Sequence, residues 1–201
     1  MRKSYLLAVA AMLMAAPAMA QIAGTPHDLS TQNWGSNQVC VFCHTPHNAA
    51  AGVGLLWNKA LPTNSYTLYG NLNGTMQGTP TSGSWNGVGQ LGTASYLCMS
   101  CHDGSVAADN MLNPAQTGTN FVTGSAAFGA NLSNSHPISF SYQTSITNGD
   151  LGLVTPVSGK VDTLPLFGAN GTLECASCHN VHSNVNGDFL RKTNVGSALC
   201  L

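Results

Sequence analysis

The sequence predicts a mostly irregular chain: coil with short α-helices and few strands. Three observations carry that expectation. Of 201 residues only six are Lys or Arg and seven Asp or Glu, so 6% of the chain is charged, against about a quarter in an average soluble domain. In their place stand 22 Gly, 19 Asn, 19 Ser and 18 Thr, residues that favour turns over regular elements. No long segment shows clean helical or strand periodicity. The same composition excludes two classes of partner and fold. There is no Lys/Arg patch to neutralise phosphates, which argues against nucleic acid as a partner. There are too few Glu, Lys and Arg for a long exposed helix or coiled coil.

Residues 1–20 read as a secretory signal peptide. Arg2 and Lys3 form a positive start, Leu6 to Ala16 is apolar, and Pro17-Ala18-Met19-Ala20 ends in an Ala-x-Ala cleavage pattern. The segment is too short to span a bilayer, and no later stretch approaches about 18 continuous apolar residues, so no membrane span is expected. The protein is therefore expected to be exported, to the extracellular space or cell surface, or alternatively the periplasm. Residues 21–201 read as one domain, with four basic and seven acidic residues left after removal of Arg2 and Lys3.

Such a domain faces a cohesion problem. Ordering each residue costs about 1–2 kcal/mol of conformational entropy, and Gly/Asn-rich loops pack poorly. Loop-rich domains usually compensate with disulfides, metals or cofactors. The cysteines say which. They form three pairs, each followed at once by histidine: Cys40-Val41-Phe42-Cys43-His44, Cys98-Met99-Ser100-Cys101-His102 and Cys175-Ala176-Ser177-Cys178-His179. This spacing is the attachment signature of c-type haem. Two thiols add to the haem vinyl groups from one turn of chain, and the next residue, His, lies under the ring to bind iron. With seven Cys and seven His in 201 residues, about 0.008 such motifs are expected by chance. A disulfide framework or a structural zinc site would give no reason for His after every second Cys. A thioredoxin-like motif would occur once.

Beyond His44, His102 and His179, four histidines remain: His27, His47, His136 and His182. His47 and His182 each stand three residues after a motif histidine. Two side chains so placed cannot share one iron, but the second can reach a neighbouring haem. His27 and His136 flank proline, which stiffens the local backbone. Met76 and Met99 can ligate iron in principle, but the histidine count leaves them no vacancy. The seventh cysteine, Cys200, stands next to the final Leu201. If the chain continues past Leu201 as a fourth motif, an eighth histidine follows, and four haems with two axial histidines each use them all. The sequence would then be truncated at its C-terminus. The alternative is a true terminus with a free or intermolecular thiol and one spare histidine.

The other segments follow in order. Residues 61–94 are Gly/Asn/Thr/Ser-rich and read as ordered loop, with Trp57, Tyr66, Tyr69 and Trp85 packing on loops or haem edges. Residues 105–172 are the longest motif-free stretch, where Ile138-Ser139-Phe140 has the alternation of a short strand. Only 25 residues separate Cys175 from Cys200, so their sites should be close.

From about Pro26 onward the chain resembles the doubled Cys-x-x-Cys-His family of multihaem c-type cytochromes. The residues that carry the resemblance are Cys40 to Ala49 with His44-Thr45-Pro46-His47, Leu56-Trp57-Asn58, Leu97 to Gly104, Ser135-His136-Pro137, Glu174 to His182 and Leu199-Cys200. Within that family it looks most like extracellular tetrahaem cytochromes that polymerise into conductive filaments in metal-respiring bacteria. The resemblance implies stacked haems, bis-histidine ligation and, in some members, an axial histidine from the adjacent subunit. Bis-histidine iron has no open site for a substrate, so the expected role is one-electron transfer rather than catalysis. The expected partners are redox proteins or extracellular electron acceptors, with a homopolymer as one form. Three alternatives stay open: a soluble periplasmic carrier, a multihaem reductase with one open haem site, and a surface module whose haems are purely structural.

Overall fold

The computed structural model describes residues 21–69, 91, 93–149 and 152–200. The signal-peptide segment, Met76, Trp85 and most of the Gly/Asn-rich loop lie outside the described residues. Within them the chain is mostly turn and coil, as its composition predicts. Three short α-helices, three 3₁₀ turns and eight two-residue strands interrupt it.

Helix α1 (Thr93–His102) carries the second Cys-x-x-Cys-His motif. It has no polar face: Ser95, Tyr96, Leu97, Met99 and Ser100 are all buried. The chain leaves it through Asp103, whose carboxylate accepts from Ser105 N at 2.7 Å. Gly104 follows at φ +78°, a left-handed exit that glycine adopts without a Cβ penalty. Helix α2 (Tyr142–Thr147) starts at Ser141, whose hydroxyl accepts from Thr144 N at 3.2 Å, a standard N-cap. Helix α3 (Cys175–Cys178) is one turn and is the third motif itself.

The strands pair as four separate two-stranded ladders. Thr67–Leu68 (β1) lies parallel to Asn131–Leu132 (β4). Met111–Leu112 (β2) and Ala115–Gln116 (β3) form a hairpin. Phe140–Ser141 (β5) pairs with Thr172–Leu173 (β8), and Lys160–Val161 (β6) with Leu164–Pro165 (β7). The strand expected over Ile138-Ser139-Phe140 is displaced to Phe140–Ser141. Ser139 stands at φ +57°, which no extended run tolerates, and all three residues are buried rather than alternating.

The apolar core is small. Tyr66, Leu68, Leu91, Tyr96, Met99, Leu132 and Ile138 cluster behind α1, with Leu61, Leu173 and Cys175 packed against them. Tyr66 thus belongs to this core, where its hydroxyl donates to Asp103 Oδ2 at 2.6 Å. Met99 is buried in the same cluster. Among the described residues no helix is long and apolar enough to cross a membrane.

Candidate haem-attachment sites

Each motif folds as a single helical turn. His44 N donates to Cys40 O at 2.8 Å, His179 N to Cys175 O at 2.9 Å, and the second motif lies inside α1. One turn sets the paired cysteines, three apart, on one side of the chain. The motif histidines share a second feature. The Nδ1–H of His44 donates to Leu55 O at 2.6 Å, that of His102 to Ala126 O at 2.7 Å, and that of His179 to Asp188 O at 2.7 Å. A carbonyl can only accept, so each bond puts the proton on Nδ1 and leaves Nε2 with a free lone pair. That is how a metal-binding imidazole is oriented.

Two of the four remaining histidines face motif histidines. The His182 ring lies 6.2 Å from His44, centroid to centroid, at an interplanar angle of 15°. The His27 ring lies 6.1 Å from His102 at 81°. His27 stacks on Phe189 at 4.5 Å, and its Nδ1 is buried with no hydrogen-bond partner. Burial first, then the nearby His102, His179 and His182, hold its pKa down to about 4. The ring is therefore neutral at physiological pH, as a ligand must be. His47 and His136 are both exposed. Among the described residues neither of them, nor His179, is stacked on another imidazole.

The cysteines place the three turns in a row. Burial pushes the Cys43 thiol up to about 11; nearby Lys59 opposes this and nearby Cys101 adds to it. Cys98, whose Sγ donates to Ala94 O at 3.3 Å, lies close enough to Cys175 to interact with it, which together with burial raises Cys98 well above its ordinary value. Burial also raises Cys178, with Cys200 close enough to add to the effect. Motif one thus meets motif two at Cys43 and Cys101. Motif two meets motif three at Cys98 and Cys175, and Cys200 lies within electrostatic reach of Cys178. Among the described residues no three His, Cys, Asp or Glu side chains converge as a bare metal ion would need.

Two junctions hold the row together. At the first, Trp57 Nε1 donates to Ser100 Oγ at 3.2 Å. Asn58 N donates to Cys43 O at 2.9 Å, and Asn58 Nδ2 donates to Val41 O at 2.6 Å and to Asn113 O at 2.8 Å. Lys59, 1% exposed, donates from Nζ to Ala108 O at 2.6 Å and Asn110 O at 3.0 Å. At the second junction Glu174, also 1% exposed, accepts from the Ser95 hydroxyl and, at 2.7 Å, from the Ser139 hydroxyl. Cys175 N donates to Ser95 Oγ at 2.9 Å. Burial raises the Glu174 carboxyl, partly offset by these hydroxyls. In the sequence Asn58 and Glu174 stand out only as parts of a motif pattern, Trp57 also as an aromatic expected on loops or haem edges, and Ser139 only within an expected strand. For Lys59 and Ser95 a buried polar role has no local signal.

Large apolar side chains lie exposed around the motif histidines. Leu55, 67% exposed, and Leu56 sit beside His44. Phe128, 48% exposed, stacks on His102 at 5.1 Å. Val181 and Val185 flank His182 along the chain. No family model matches the chain, and no curated protein matches it at a significant level.

Proposed function

We propose that this chain is a secreted multihaem c-type cytochrome that passes electrons through bis-histidine haems, in extracellular or anaerobic respiratory electron transfer. A filament subunit is one form that this role takes. The observation that carries the reading is the pair of imidazole spacings. An imidazole nitrogen binds a first-row metal at about 2.0–2.1 Å, so two rings on opposite sides of one iron hold their centres about 6.3 Å apart. His44–His182 at 6.2 Å and His27–His102 at 6.1 Å match that spacing. In each pair the motif histidine is oriented through Nδ1, which leaves Nε2 for the metal. The exposed Leu55, Leu56 and Phe128 fit a large apolar ring beside those histidines, since exposed patches of this kind mark contact surfaces.

The residues that would hold haem c are Cys40, Cys43 and His44 with His182; Cys98, Cys101 and His102 with His27; and Cys175, Cys178 and His179. When bound, haem supplies a one-electron Fe(III)/Fe(II) change whose potential depends on axial ligands and burial. The chain does the rest. Leu55 O, Ala126 O and Asp188 O orient the ligand imidazoles. Phe189 covers the His27 ring, and the core behind α1 backs Cys175. The two polar junctions set the order of the sites. Two histidines at each of the first two sites would leave no open position there for a substrate, which suits a carrier rather than an enzyme.

His179 supports a second reading. It is not paired with another imidazole among the described residues, which suits either a reductase with one open haem site or a distal histidine from a second copy. The exposed His47 and His136 are the donors available for the latter.

The test is the full chain expressed with c-type maturation and examined by pyridine haemochrome assay and electron paramagnetic resonance. At least three covalent haems are expected, with two low-spin, and His182→Ala should convert one of those to high-spin. Absence of covalent haem would overturn the proposal. A high-spin signal independent of protein concentration would favour the reductase, and one lost as the protein associates would favour a shared ligand. Electron microscopy of the extracellular fraction then separates filaments from a small carrier.

A further inference from the structure

We infer that Lys59 sets the reduction potentials of the first two haem sites above that of the third, by fixing one buried positive charge at their shared junction. The inference rests on the haem reading above. Residues 21–201 contain four Lys and Arg. Lys160 and Arg191 are exposed, and Lys192 pairs with Asp162 at 3.1 Å on the surface. Lys59 alone of the four is interior, at 1% exposure. Its ammonium is held by two backbone carbonyls, Ala108 O and Asn110 O, and among the described residues it has no carboxylate partner within ion-pair distance. Lysine is almost never buried this way without reason.

Its position supplies the reason. The two preceding residues bind both motifs: Asn58 holds Cys43 O and Val41 O, and Trp57 holds Ser100. The charge is close enough to act on both Cys43 and Cys101. The opposing charges nearby are Asp103, which acts on Cys101 less strongly than Lys59 does and is covered by the Tyr66 hydroxyl and Asn64 Nδ2, and Asp109, which stands in the chain between the two carbonyls, is buried and is held by Thr119 N, Asn120 N and Asn120 Nδ2. At the other junction the buried titratable group among the described residues is a carboxyl, Glu174, and not a cation.

A haem site that takes up one electron loses one unit of positive charge. A fixed cation nearby disfavours the oxidised form and favours the reduced one, and low dielectric strengthens the effect. No proton moves and no bond changes.

The test is a reductive titration of the haem-loaded protein with dithionite as the electron source, each site followed separately by NMR. Lys59→Gln keeps donor N–H groups for Ala108 O and Asn110 O but removes the charge. The reduction equilibrium constants of the first two sites should fall about tenfold, the size expected for one nearby unit charge at moderate dielectric. The third should hold, and Lys59→Arg should restore the first two. Constants unchanged at the first two sites, or lowered equally at all three, would overturn the assignment. Should Lys59→Gln fail to fold, the wild-type order decides: the first two sites reducing before the third supports it, the reverse order overturns it. Unmoved constants in haem-loaded protein sink only the Lys59 assignment, whereas a wild-type chain without haem sinks the haem reading as well.

Discussion

The two junctions between motifs solve one problem with opposite chemistry. Between motifs one and two, a lysine is satisfied by backbone carbonyls, and an asparagine bridges Val41 to Asn113. Between motifs two and three, the only glutamate of the chain is satisfied by two serine hydroxyls. In a chain that is 6% charged, where Asp28, Asp103 and Asp109 are buried as well, these two ionisable groups stand where cysteine turns meet. Each is held by neutral partners rather than by a counter-ion. Burying a polar group is tolerated only when it is hydrogen-bonded, and here the bonds also tie one motif to the next.

The comparison can be broken most severely at Asn58. Asn58→Ala leaves Val41 O, Asn113 O and Asn113 N without their partner in a fully buried place. A loss of about 3 kcal/mol is expected, read as a lower urea midpoint of the haem-loaded protein. An unchanged midpoint would mean that the first junction does not depend on this side chain.

Ser95→Ala attacks the second junction. It removes one hydroxyl from Glu174 and the acceptor of Cys175 N, for about 1–2 kcal/mol by the same measurement. Trp57→Phe keeps the ring and loses only the bond to Ser100, for about 1 kcal/mol or less.

The smallest effect in mid-range pH sharpens the contrast in sign. The folded state raises the Glu174 carboxyl pKa, chiefly by burial, and so favours its protonated form. Its contribution to stability is present below the ordinary carboxyl range and is lost as pH rises through the raised value. Glu174→Gln should flatten that part of the stability–pH curve. An identical slope in both proteins would mean that Glu174 is ionised in the fold at no cost.

Much of this molecule was legible before folding. A scarcity of charge and a wealth of Gly, Asn, Ser and Thr predict sparse regular structure, and short helices and two-residue strands are what forms. The strand at Ile138-Ser139-Phe140 was misplaced by two residues, because nothing local announces that Ser139 turns left-handed to reach Glu174. The three cysteine turns are legible because a Cys-x-x-Cys-His segment specifies its own geometry within five residues.

The placement of the other four histidines was not legible in the same way. His47 and His182 stand in equivalent positions after their motif histidines, yet His182 lies against His44 while His47 is exposed. His27 and His136 both neighbour proline, yet His27 lies beside His102 and His136 is exposed.

By itself the sequence determined what is local: which residues form the cysteine turns, and that coil would dominate, because one turn or one residue type suffices for each. Only the tertiary structure decided which histidines face each other across a gap and which side chains go inside. Lys59 and Glu174 are charges that composition alone would place at the surface. Their burial depends on partners contributed by distant loops, Ala108 and Asn110 for one, Ser95 and Ser139 for the other. Such partners exist only once the chain has closed on itself.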